Sequence, residues 1–227
     1  MKVEAWIEEM RATLSEYRNE ANAYAISKYF RNQFGSFGIK NGERRAITKL
    51  FLAEAKSFSV DDLSLAIRLM WDQPEREFQH AGMELLDKYK KVFGKKIKAE
   101  LEFIISNKSW WDTVDYIASN TVGWAYKEGF ISKNDIYEWN KSSDMWLNRT
   151  SIIFQLKYKK ETDWELLQQN ILNHSGHKDF FIRKAIGWAL REYGKTAPEI
   201  VTDFVDNNVL SGLSIREAMR VIKIGDQ

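Results

Sequence analysis

Apolar residues recur three and four positions apart along most of the chain, as at Ile182, Ala185, Ile186 and Ala189. That spacing gathers them on one face of an α-helix. No alternating apolar and polar stretch is closed by Asn-Gly or Gly-Gly, so no hairpin is predicted. Helix starts are marked where Ser or Thr precedes an acid by three residues, the capping-box pattern. The pairs are Ser59/Asp62, Ser109/Asp112, Ser132/Asp135, Thr162/Glu165, Thr196/Glu199 and Ser214/Glu217, with Asp72/Glu75 around Pro74 as a further start. Pro198 falls in one of these first turns, where its missing N–H costs nothing. The pattern predicts an all-α chain, with "SGLS" (211–214) as a turn before the last helix.

The predicted helices also resemble one another. "DMWLNRTSIIFQLKY" (144–158) and "DFFIRKAIGWALREY" (179–193) align without a gap: aspartate first, an aromatic third, a basic residue sixth, tyrosine last. "REFQHAGMELLDKYKK" (76–91) shares the Lys-Tyr-Lys of the first. A period of about thirty residues in helical sequence predicts stacked helix pairs of the HEAT or armadillo type. No Gly/Ser/Pro linker divides residues 1–227, so the expected architecture is one curved solenoid domain with a concave face for a large partner.

Composition narrows the function classes. Hydrophobic residues are 44% and charged residues 29% of 227, which describes a globular rather than a disordered chain. No apolar run reaches membrane-spanning length, and the acids of "MKVEAWIEEMRATL" do not suit a signal peptide, so no membrane partner and a cytoplasmic location are expected. There are no cysteines, which excludes disulfides and a thiol nucleophile. The net charge of +2 gives no global pull toward nucleic acid, but basic residues cluster at 88–98, in "KYKK" (157–160) and in "RKAIGWALREYGK" (183–195). Each cluster alone reads first as a solvated face. His174 and His177 have metal-like spacing, but Ser-Gly between them predicts a loop; no metal site and no cofactor are expected. His80 reads as structural, and Tyr29, Phe30 and Phe34 as core aromatics.

The segment "SNKSWWDTVDY" (106–116) carries the candidate chemistry. Ser109 and Asp112 read as the N-cap and N3 acid of a helix, with Trp110 anchored in the core beside Val114 and Ile117. Asp115 has no such explanation. It lies four residues after Trp111, on the same helical face. An indole beside a carboxylate suits a cation, although an isolated Trp-x-x-x-Asp is more often a core tryptophan beside an exposed acid. If the repeats present corresponding faces to one surface, Arg149 and Trp188 converge on that pair. Two indoles, a carboxylate and basic side chains suit a cation joined to an anion, and an alkylated purine in DNA fits that description.

Several stretches together resemble the AlkD-type DNA alkylation-repair glycosylases over almost the whole length: "FGIKNGERR" (37–45), "LMWDQPEREFQHAGMELLDKYKK" (69–91), "NKSWWDTVD" (107–115), "MWLNRTSIIFQLKYK" (145–159) and "FFIRKAIGWALREYGKTAPEIV" (180–201). The resemblance implies HEAT-like repeats and removal of cationic bases, such as 7-methylguanine and 3-methyladenine, from double-stranded DNA during base excision. It implies that Trp111, Asp115, Arg149 and Trp188 are the catalytic set, with Arg149 clamping a phosphate. It further implies that Tyr29, Lys40, Arg44, Arg45, Lys157, Arg183, Lys184 and Arg191 face DNA. The partner would be alkylated duplex DNA, bound by a monomer in a bacterial-type cytoplasm, at the nucleoid during repair. One departure stands out. The family's early motif usually has proline where Gly42 stands, and often glutamine where Lys40 follows Ile39. The alternative is a non-catalytic scaffold that binds DNA or protein; it shares the fold and basic clusters but has no use for Asp115 beside Trp111.

Overall fold

The computed structural model describes residues 2–220, and among these it contains helices, turns and no strand. No helix there is long and apolar enough to cross a membrane. The all-α expectation holds. The chain divides into two compact units, Met1–Lys96 and Ile97–Gln227.

The first unit contains α1 (Val3–Glu16), α2 (Glu20–Tyr29), α3 (Asn41–Glu54), α4 (Val60–Asp72) and α5 (Arg76–Phe93). In α1 the buried residues Val3, Trp6, Ile7, Met10 and Leu14 follow the three-four spacing, and this face packs on α3 and α4. Trp6 meets Phe51 and Phe58 edge-on, at centroid distances of 6.2 and 5.3 Å. Between α2 and α3 the chain turns through Gly38, whose φ of +83° and close approach to the Asn19 carbonyl leave no room for a Cβ. Buried Glu77 fastens that turn by accepting from the Ser36 hydroxyl and the Gly38 and Ile39 amides.

The second unit contains α6 (Ile97–Ser106), α7 (Trp111–Ile117), a π-helical turn (Ala118–Val122), α8 (Gly123–Lys127), α9 (Lys133–Lys141), α10 (Met145–Ile153), α11 (Trp164–Leu172), α12 (Phe180–Gly194), α13 (Pro198–Asn207) and α14 (Gly212–Ala218). Helix α12 runs through its core, packing against α10, α13 and α14. Ile182, Ala185, Ile186 and Ala189 are all buried there with Ile152, Ile153, Leu167 and Phe204, so the periodic face read from sequence is the inner one. The aligned repeats also correspond in structure: Asp144 and Asp179 are the N-caps of α10 and α12, each accepting from the amide two residues on.

The capping boxes divide. Ser59/Asp62 and Ser132/Asp135 form complete reciprocal boxes at the starts of α4 and α9. The others are corrected. Helix α7 is capped by Trp110 without a side-chain bond, and the Ser109 hydroxyl donates back to the Ile105 carbonyl. Asp163 rather than Thr162 caps α11. Helix α13 follows Ala197 with Pro198 in its first turn. Ser211 rather than Ser214 caps α14, so "SGLS" already contains the helix start. Helix α5 follows Glu75, so Asp72 does not begin it.

Candidate active site

Helix α7 opens after Lys108, a non-glycine residue in the left-handed region (φ +46°), and an extended Trp110. Val114 and Ile117 face the interior, so Trp111 and Asp115 share the adjoining, half-buried face. Asp112 sits in the first turn, where the helix dipole favours an acid.

Asp115 meets Arg149 of α10 through a two-pronged contact: Nε donates to Oδ1 at 2.7 Å and Nη2 to Oδ2 at 2.8 Å. The third guanidinium nitrogen, Nη1, donates to the Phe181 carbonyl in the first turn of α12. The two partners differ in depth: the Arg149 side chain is 5% exposed and that of Asp115 16%. Arg149 therefore lies on the inner side of the carboxylate, which itself keeps only a small exposure to solvent. Burial pushes the Asp115 carboxyl up from the ordinary 3.8, the charge and hydrogen bonds of Arg149 pull it down, and Asp112 adds a further upward push. Both oxygens accept from one guanidinium, the arrangement of an ionised carboxylate.

Three aromatic side chains brace this pair. Trp110, Trp146 and Phe181 form a closed triangle with centroid separations of 5.9, 5.3 and 5.2 Å. Trp146 and Phe181 are the third-place aromatics of the two aligned repeats, set by the Asp144 and Asp179 caps. The Arg149 guanidinium lies 6.0 Å from the Phe181 ring centre. Trp110 thus packs as an anchor, against this aromatic layer, half-buried rather than in the core. Behind it, the Asn148 amide donates to the carbonyls of Trp139, Asn140 and Ser142, fixing α9 to α10.

The helix widens immediately after Asp115. Over the π turn, the Ser119 hydroxyl donates to the Asp115 carbonyl at 2.8 Å and the Asn120 amide to the Tyr116 carbonyl at 2.8 Å. These side chains add to the backbone bonding of the turn, where the Ala118 amide also donates to the Asp115 carbonyl; π turns are frequent at functional sites. Beyond it Gly123 admits the close passage of the Phe154 carbonyl, which would lie 2.8 Å from a Cβ, and its own carbonyl accepts from Tyr158.

The structure joins three of the four expected catalytic residues: Asp115 and Arg149 by contact, Trp111 through its helix. Trp188 is half-buried against the core cluster, seven residues beyond Phe181. That places it on the same face of α12, about two turns or ~10 Å along the axis. The phosphate clamp expected of Arg149 is corrected, because all three of its nitrogens donate within the protein.

Of the residues expected to face DNA, Arg44 is also corrected. It is 1% exposed, its guanidinium held by Glu84 and Asn41. Its neighbour Arg45 points outward and shares Glu84; Lys40 and Tyr29 are exposed. In the second unit Lys184 and Arg191 both pair with Glu217, at 2.8 and 2.6 Å, and Arg183 donates to the Asp179 carbonyl. Those cations hold the Glu217 carboxyl below its usual range, the Lys184 hydrogen bond most. Lys157 is exposed, its amine on the Asn120 side-chain oxygen. Phe30 is buried as expected, whereas Tyr29 is not. His174 and His177 lie beyond α11; His174 Nε2 meets the Asn140 carbonyl, and His177 Nδ1 accepts from the Asp179 amide. Sequence reasoning missed Trp146, Phe181 and Glu217, although the third-place aromatics of the repeats mark the first two.

A structure described as a predicted DNA alkylation repair enzyme from Enterococcus faecalis superposes with a TM-score of 0.81 and 29% identity, over 89% of this chain and 95% of that one. No curated protein matches the chain. The family described as DNA alkylation repair enzyme matches residues 10–222, nearly the whole sequence. On that match, the chain belongs to the DNA alkylation repair enzyme family.

Proposed function

We propose that the protein is a DNA glycosylase that hydrolyses the N-glycosidic bond of positively charged alkylated purines, such as 7-methylguanine and 3-methyladenine, in duplex DNA. One observation carries this reading: the Asp115 carboxylate is fixed from within by Arg149 and remains partly exposed, on the helix face it shares with Trp111. A cationic purine leaves without a general acid. As the bond from its ring nitrogen to the sugar breaks, the base takes the electron pair and becomes neutral, and positive charge develops on the deoxyribose. Asp115 stabilises that charge and orients the water whose oxygen bonds to the sugar carbon, the surplus proton leaving to solvent. Arg149 is a positioning residue that holds the carboxylate ionised and aimed outward. Trp111 and Trp188 flank the sugar and limit bulk water. The protein acts as a monomer in a repair pathway that begins with base excision.

The competing reading is a duplex-binding scaffold in which Asp115 is the matched half of a structural ion pair. The experiment is release of 7-methylguanine from methylated duplex by the wild type and by Asp115→Asn. The proposal expects release by the wild type, with loss on the order of 100-fold or more in the variant while duplex binding persists. A wild type that binds duplex but releases no base establishes the scaffold instead.

A further inference from the structure

Away from Asp115 the second unit contains a cleft of about 450 Å³, lined by Lys127, Lys157, Lys159 and Lys160 beside Tyr158 and Glu161. Four lysines and one carboxylate therefore line it. Lys127 pairs with Glu161 and stands over the Tyr158 ring, 4.4 Å from its centre. Tyr158 is a fixed wall, buried with its hydroxyl on the Gly123 carbonyl. Lys159 and Lys160 are exposed and make no side-chain ion pair among the described residues. Lys159 holds a left-handed backbone (φ +54°), a conformation that side chains other than glycine's rarely adopt and that clusters at functional sites.

The cleft is tied to the helix that carries Asp115. Lys157 donates to the Asn120 side chain within the π turn, five residues after Asp115, or about 7 Å along a helix axis. Along one DNA strand, successive phosphates advance about 3.4 Å on the duplex axis. Lys157 thus lies within about two phosphate steps of Asp115 along this axis, and Lys127, twelve residues after Asp115 or about 18 Å of helix, within roughly five.

We infer that the four-lysine cleft is a phosphodiester-binding subsite that grips the DNA backbone beside the reacting nucleotide. This rests on the proposed action on DNA and assigns Lys127, Lys159 and Lys160 a role that the catalytic set lacks. Lys127, paired with Glu161 at the surface, edges the cleft, and Lys159 and Lys160 supply the cations that displace counterions.

The test measures binding of a short unmodified duplex by the full chain across a salt series, so that it does not depend on base release. Lys159→Ala/Lys160→Ala should lower the slope of log affinity against log salt by about 2. At 0.1 M salt the affinity should fall roughly 10- to 60-fold. Lys159→Arg/Lys160→Arg should restore both, because the charges return. An unchanged slope in the alanine variant, or an arginine variant no better than alanine, overturns the subsite while leaving the glycosylase reading standing. Normal slope changes with no base release by the wild type support the subsite and refute the glycosylase. A wild type that binds no duplex overturns both.

Discussion

Arg149 lies deeper than the carboxylate it holds: its side chain is 5% exposed and that of Asp115 16%. Removing the arginine leaves a largely buried carboxylate without its partner, at a cost of up to about 3 kcal/mol, the low end for breaking a buried pair from one side. Arg149→Ala should accordingly lower the unfolding midpoint. Arg149→Lys keeps the charge but loses the two-pronged geometry. It should reduce kcat for base release by at least about tenfold while leaving duplex affinity unchanged. A loss confined to affinity would restore the phosphate-clamp assignment.

The pH dependence follows from the same burial. Because burial raises the Asp115 carboxyl above its ordinary 3.8, the ionised form disappears at a higher pH than for a free aspartate. Base release should decline as pH falls through that raised value. In Arg149→Lys the acid limb should move further upward, since the hydrogen bonds that favour the anion are weakened. The acid limbs of kcat measured for the two proteins check this.

His174 gives a second, independent titration. Burial lowers its pKa from the ordinary 6.5, and its ring is bonded to the Asn140 carbonyl. The unfolded chain then takes up a proton before the folded one. Stability is fully present above about pH 6.5 and declines as pH falls toward the lowered folded value. His174→Gln removes this titration, so denaturant melts between pH 7 and 5 should show a shallower loss than in the wild type.

Gly123 and Tyr158 make a packing test remote from the carboxylate. A Cβ at Gly123 would stand 2.8 Å from the Phe154 carbonyl, so Gly123→Ala should destabilise by about 1–3 kcal/mol. Tyr158→Phe leaves the Gly123 carbonyl without its side-chain donor, for about 1–2 kcal/mol. Urea midpoints of both variants are the measurement.

The legible parts of this sequence were the locally determined ones. Ser59 and Ser132 read correctly because box and helix lie within four residues. Ser214 and Thr162 misled because Ser211 and Asp163, close by, compete for the same cap. The expectation that successive repeats present corresponding faces put Arg149 with Asp115, and the two are in contact. It said nothing of which way the guanidinium turned, because that depends on a carbonyl of Phe181, thirty-two residues away. Arg44 and Arg45 show the same limit: adjacent positions differ by about 100° around a helix, and only packing decides which one goes inside. The π turn left no sequence signal that the three-four spacing could carry.

That turn has a consequence for how the helix can change. One residue accommodated without its share of rotation offsets the phase of everything after it by about 100°. The stretch bearing Trp111 and Asp115 and the stretch starting at Gly123 therefore obey separate angular registers. Gly123 therefore meets Phe154 and Tyr158 on a face whose direction the spacing of Trp111 and Asp115 does not set.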